Sequence, residues 1–204
     1  MKILLEKKNY IFIIINACFF QFIACLFYIN EDLLTPISEV LRIIEGQITY
    51  QDYSSHNGPL LALLFYFFTY AFELFNAYLL LSILINVSFA LVSYKILLLI
   101  NCNNNISFCG GLLAGIWFLP MMGGAYYDHL SYLFGFLSFY LVFRIKETHI
   151  KYLIIGTLMG LSFWTKPSLG FIVSLFVGIS IILLNELNFD LFKKILFLII
   201  GGLL

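Results

Sequence analysis

Three places in this sequence hold residue types that could do chemistry. Glu31 and Asp32 stand together, Asp128 and His129 are adjacent in "GGAYYDHL", and Lys166 precedes Pro167 in "FWTKPSLG". Acids brought together from different segments can bind a divalent cation or act as a general base, which makes Asp32 and Asp128 candidates; solvated loop acids have the same residue types. His129 and His56 are candidate ligands for a metal or a phosphate, weighed against the commoner solvated histidine. Lys166 is an isolated cation that can neutralise a phosphate or snorkel to lipid headgroups. A fourth stretch, "ITYQDYSSHNGPLL" over 48–61, is the longest polar run and carries Tyr50, Asp52, His56 and a Gly-Pro step at Gly58 and Pro59. Asp52 there suits a cap or turn more than chemistry.

The elements that must position these residues follow from composition. Hydrophobic residues make up 62% of the 204, aromatics 19% and charged residues 11%, against roughly a quarter charged in an average soluble domain. The chain reads as an all-α integral membrane protein. Its apolar blocks are continuous rather than alternating, which argues against a membrane barrel, and backbone in lipid must be paired within its own segment. Spans are expected over 10–29, 77–100, 108–124, 130–145, 152–165, 168–185 and from 195 onward, about seven in all. The run 59–75 could be a further span or an interfacial helix ending at the turn "LFNA", 74–77.

Charge placement decides between these two. With 59–75 on the outer surface, Lys2, Lys7, Lys8, Lys95, Arg144, Lys146, Lys151, Lys193 and Lys194 all fall inside, nine of the eleven cations. Cations near span ends mark the cytoplasmic side, so the N-terminus is expected inside and Arg42 and Lys166 outside. The outer segments then hold Glu31, Asp32, Glu39, Glu45, Asp52 and Asp128. Within the first outer loop, 30–76, two surface helices are expected. The first runs through "TPISEVLRIIEGQ", with Pro36 in its first turn, Val40, Leu41, Ile43 and Ile44 as the apolar side, Glu39, Arg42 and Glu45 as the polar side, and Gly46 as the stop. The second starts at Pro59.

Several classes are excluded or disfavoured. A net charge of zero points to no nucleic-acid partner. No P-loop, H-E-x-x-H or Gly-x-Ser-x-Gly pattern is present, so a soluble-type nucleotide site is not expected. Cys18, Cys25, Cys102 and Cys109 have no metal-ligand spacing and read as small core or lipid-facing residues. The first apolar stretch is longer than the core of a signal peptide. The chain ends at "LFLIIGGLL", partway into an apolar run, and reads as a fragment of something longer.

Taken in order, the acid after the first span, "EVLRIIEGQITYQDYSSHNGPLLALLFYFF", "YYDHLSYLFGFLSFYLVFR" and "IIGTLMGLSFWTKPSLG" resemble the membrane glycosyltransferases of the C superfamily (GT-C). The likeness is to the bacterial branch related to protein O-mannosyltransferases and lipid A aminoarabinose transferases, over about residues 10–190. The resemblance implies transfer of a sugar from a polyprenyl-phosphate donor to a glycan, lipid or protein acceptor on the outer face of a bacterial inner membrane, by inverting displacement. It implies Asp32 or Glu31 as general base, Asp128 with His129 at a divalent metal (Mg, Mn or Zn) or the donor-phosphate site, and Lys166 against the donor phosphate. It also implies that Tyr50, Asp52 and His56 shape an acceptor cleft, and that residues 1–204 form the N-terminal part of such a module.

Two other readings compete. A transporter or flippase of lipid-linked sugars would show ionisable residues at mid-membrane, where only Glu73 and Lys95 are placed to approach the core. A non-catalytic fragment of the same fold would bind partners only.

Overall fold

The computed structural model describes residues 2–27, 34–118, 120, 123–144, 148–185 and 189–203. They form helices α1 (Lys2–Phe27), α2 (Leu34–Ile44), α3 (Leu60–Thr69), α4 (Leu74–Leu99), α5 (Asn104–Trp117), α6 (Tyr127–Arg144), α7 (His149–Thr165), α8 (Pro167–Leu184) and α9 (Phe189–Leu203). Among the described residues the extended pairing is one isolated bridge, Thr49 with Tyr53.

Among the described residues, three helices are long and apolar enough to cross a membrane: Lys7–Phe27, Leu74–Leu99 and Pro167–Leu184. Large apolar side chains stay exposed along them, Phe27 at 82% and Leu183 at 80%, a surface that suits lipid and not water. The chain is therefore membrane-associated. Each of the seven expected spans overlaps a helix, but the one expected over 108–124 runs past the end of α5 at Trp117, and α5, of 14 residues, is only about 21 Å long at 1.5 Å per residue, short of the ~30 Å hydrocarbon core.

Local chemistry sets the helix ends. Gly46, at φ +85°, turns the chain out of α2, a conformation open to glycine without a Cβ clash. Asn103 caps α5, its side chain accepting from the Ile106 N–H at 2.8 Å, and Thr148 caps α7 by accepting from the Lys151 N–H at 3.2 Å. Lys166 ends α7 and begins α8, with Pro167 at the first helical position, where its missing N–H costs nothing.

Two expectations are corrected. The turn after α3 lies at residues 70–73, and "LFNA" is the first turn of α4. Glu73, extended at φ −60° and ψ 153°, is the α4 N-cap residue and is exposed. In α2 the polar and apolar sides are not those expected: Glu39 is buried while Leu41 and Ile44 are exposed. The helix packs on the face of Pro36, Glu39, Val40 and Ile43, at the i, i+3, i+4, i+7 spacing of one helical stripe.

Side-chain contacts order the bundle end to end. Asn9 of α1 donates to Tyr94 of α4 and Asn104 of α5, and Lys95 lies over the Tyr10 ring; Val142, Tyr152 and Leu191 bring the end of α6 and the starts of α7 and α9 into one cluster. The described lysines near the ends of α1, α4, α7 and α9, with Arg144 of α6, thus share one pole. Midway, buried Asn86 donates to the carbonyls of Ala17 at 3.0 Å and Gly115 at 2.9 Å, joining α1, α4 and α5. α7 and α9 meet backbone to backbone: a Cβ on Gly156 would overlap the Leu198 carbonyl, and one on Gly201 the Leu153 carbonyl. Small residues permit such close approach in membrane bundles.

Candidate functional site

The opposite pole carries Glu39, Asp52 and Asp128. Here the N-terminus of α6, the α7–α8 junction, α2 and the 46–59 linker converge. Asp128, in the first turn of α6, accepts a hydrogen bond from Lys166 at the α7–α8 junction, and the two form an ion pair. Both are partly exposed at the rim, the lysine side chain at 24% and the aspartate at 34%. An ion pair so placed keeps contact with water and does not pay the full desolvation penalty of a buried pair. The Lys166 ammonium also lies 5.6 Å from the centre of the Tyr126 ring, a cation–π distance. α6 and α7 are held in register just beneath, where Ser131 and Ser162 share a 2.7 Å hydroxyl contact and Ser162 donates to the Ser131 carbonyl at 3.0 Å.

The polar linker docks beside this pair. The Gly58 N–H donates to the Thr165 carbonyl at 2.9 Å, and a Cβ on Gly58 would overlap the Trp164 carbonyl. The Tyr50 hydroxyl donates to the Asn57 carbonyl, and Thr49 and Tyr53 share a hydroxyl contact of 2.8 Å. Asp52 accepts from the Ile48 N–H at 2.6 Å and so closes the turn, while Arg42 stacks 4.9 Å over the Tyr53 ring. Tyr50 has φ +68°, uncommon for a non-glycine residue. Desolvation of its hydroxyl end, then the charge of Glu39, hold the phenol above the ordinary tyrosine value although the ring stays exposed. His56 is exposed.

Glu39 is the acid that the sequence pattern assigned to the solvated side. One carboxylate oxygen accepts from Ser55 Oγ at 2.6 Å and the other from the Tyr127 hydroxyl, at 5% exposure. A buried carboxylate is tolerated when its oxygens are bonded in this way. The signal in the sequence was the spacing of Pro36, Val40 and Ile43, which draws Glu39 into the packed face. Tyr127 and Ser55 carried no signal of their own.

Among the expected metal ligands, Asp128 stays at the rim, bonded to Lys166. His129 is buried at 6% exposure, its ring edge-on to Phe118 at 4.7 Å and its Nδ1 without a hydrogen-bond partner. Adjacent helical residues diverge by about 100°, and here the carboxylate meets Lys166 while the imidazole packs on Phe118. Among the described residues no three of His, Cys, Asp and Glu gather to hold a metal. Glu31 and Asp32 lie outside the described residues.

Below the pair, a wholly apolar groove of about 380 Å³ runs between α6 and α8, lined by Tyr132, Phe136, Phe139, Ile172 and Phe176, with Ile96 of α4 at its far side. Tyr132 is one helical turn from Asp128, and Ile172 is within two turns of Lys166. Gly135 belongs to the same face: a Cβ there would come within 2.8 Å of the Val173 side chain.

Compared with protein-family models, curated proteins and solved structures, the chain matches none. Fold and site define its class: a helical, membrane-associated protein with an ion pair at one pole, flanked by a polar linker and by an apolar groove.

Proposed function

We propose that this chain belongs to a membrane glycosyltransferase that takes a sugar from a polyprenyl-phosphate donor. One observation carries the reading: a cation, Lys166, anchored by Asp128 at the rim directly above an apolar groove. A lipid phosphate needs both parts, a positive group for its head and an apolar trough for its chain. The ordered likeness of the sequence to GT-C enzymes supports the same assignment. The two helices α2 and α3 would lie along the outer membrane surface, the remaining seven would cross or enter the bilayer, and the lysine-rich pole would face the cytoplasm of a bacterial inner membrane.

The chemistry would be a displacement at the anomeric carbon. An acceptor hydroxyl attacks, Asp32 or Glu31 takes its proton, and the polyprenyl phosphate leaves with its charge met by Lys166. Asp128 orients that lysine. The linker with Tyr50, Asp52 and His56 forms the wall past which the acceptor, a glycan, lipid or protein, would reach the sugar.

The test is sugar transfer from a radiolabelled polyprenyl-phosphate sugar in membranes containing the full-length protein, comparing wild type with Asp32→Asn and Asp128→Asn. Transfer that collapses in both variants is the expected result. Undiminished transfer in both would overturn the site, and no transfer from any donor would favour transport or a non-catalytic role.

A further inference from the structure

The Asp128–Lys166 pair sits between two attachments of the linker, and each attachment falls on the immediate chain neighbour of one member. Tyr127, next to Asp128, donates to Glu39, and Thr165, next to Lys166, accepts from the Gly58 N–H at 2.9 Å. Glu39 connects the two through Ser55, which donates to it at 2.6 Å. The Ser55 hydroxyl oxygen in turn accepts from the Asn57 N–H at 3.1 Å, one residue before Gly58. The Tyr50 hydroxyl closes the far side by donating to the Asn57 carbonyl. An unbroken polar path thus runs from the first turn of α6, through the α2 carboxylate and the linker, to the end of α7.

We propose that Glu39 is a positioning residue, a two-sided latch whose carboxylate ties the 48–58 linker to the first turn of α6 and thereby fixes the rim on which Asp128 and Lys166 meet. A buried carboxylate with both oxygens engaged cannot leave one partner without losing a charge-assisted bond, so it joins linker and helix firmly. Glu39 at 5% exposure is closed off by these partners, so it acts through them and does not touch a substrate. That the rim so fixed is a transfer site rests on the glycosyltransferase reading; the latch itself does not.

The test uses the full chain in lipid nanodiscs and reads backbone amide exchange across 48–58 in wild type, Glu39→Ala, Glu39→Gln and Tyr127→Phe, with sugar transfer measured in parallel. Glutamine can accept from Tyr127 and donate to Ser55, so it keeps the two-sided geometry without the charge. The expected result is linker exchange faster by about tenfold or more in Glu39→Ala and Tyr127→Phe, the scale of one charge-assisted hydrogen bond. Exchange in α4 and α5 stays as in wild type, and Glu39→Gln restores part of the protection, since the bonds remain without the charge. Unchanged linker exchange in Glu39→Ala and Tyr127→Phe overturns the latch, as does equal acceleration throughout α4 and α5. Glutamine exchange as fast as that of alanine also overturns it. If wild type transfers no sugar while linker exchange follows the expected pattern, the latch stands and the glycosyltransferase reading falls.

Discussion

Gly58 rests so closely on the backbone carbonyl of Trp164 that a Cβ would overlap it. The obstacle is backbone at the end of a packed helix, not the tip of a flexible side chain, so the linker must move instead. Gly58→Ala is expected to break the bond to Thr165 and destabilise the protein by about 1–3 kcal/mol, the range for forced overpacking. Thermal unfolding in detergent measures the loss, and an unchanged midpoint would mean that the linker docks elsewhere.

Lys166 is the cation placed to meet a donor phosphate. Removing one charge-assisted hydrogen bond costs roughly 1.5–3 kcal/mol, so Lys166→Gln should raise the donor KM about tenfold to a hundredfold. Lys166→Arg should recover part of this, because the charge remains while the contact geometry changes. Steady-state kinetics with varied donor decides the matter; equal KM in Lys166→Gln and wild type would remove the phosphate role.

Asn86 joins three helices through two carbonyls. Side-chain hydrogen bonds between membrane helices average about 0.6 kcal/mol, with a maximum near 1.7. Asn86→Ala should therefore lower stability by about 1–3 kcal/mol, read from the unfolding midpoint in mixed micelles. No change would show that α1 and α5 hold to α4 through packing alone.

The α7–α9 contact makes a contrast between two glycines. Gly201 has no room beside Leu153, whereas Gly178 has nothing within 4 Å of its Cβ direction. Gly201→Val should loosen α9 and lower the melting temperature. Gly178→Ala should leave it unchanged or raise it, since alanine is favoured over glycine in a helix by about 1 kcal/mol. The same loss from both changes would contradict the close packing of α7 on α9.

Orientation is testable with single cysteines placed in a background lacking Cys18, Cys25, Cys102 and Cys109. Gln51 and Asn105 are exposed at opposite poles of the bundle. With the proposed topology, Gln51→Cys in intact cells reacts with a membrane-impermeant maleimide and Asn105→Cys reacts only after lysis. The reverse pattern would invert the chain and place the Asp128–Lys166 pair in the cytoplasm.

Helix positions were legible because hydrophobic runs and their interruptions are local features. Pro167 and Gly46 act on the few residues beside them, so the breaks they cause appear in the sequence at the residues responsible. The turn after α3 was misplaced because "LFNA" holds no residue that forbids helix, and nothing nearby signals where one helix stops and the next begins.

Sequence by itself determined that this is a helical, membrane-associated chain, with most of its cations at one set of helix ends and most of its acids at the other. That follows from what lipid demands of backbone and charge. Only the tertiary structure decided which of those acids is engaged by what. Asp128 finds Lys166 across two helices, His129 turns into the core beside it, and Glu39 leaves the expected polar side of α2 to bind Tyr127 and Ser55. These pairings join residues far apart in the chain, and the hydroxyls that make burial of Glu39 tolerable come from two other segments. A carboxylate's preference for water is a local property, and it is overruled when the fold supplies both of its oxygens with donors.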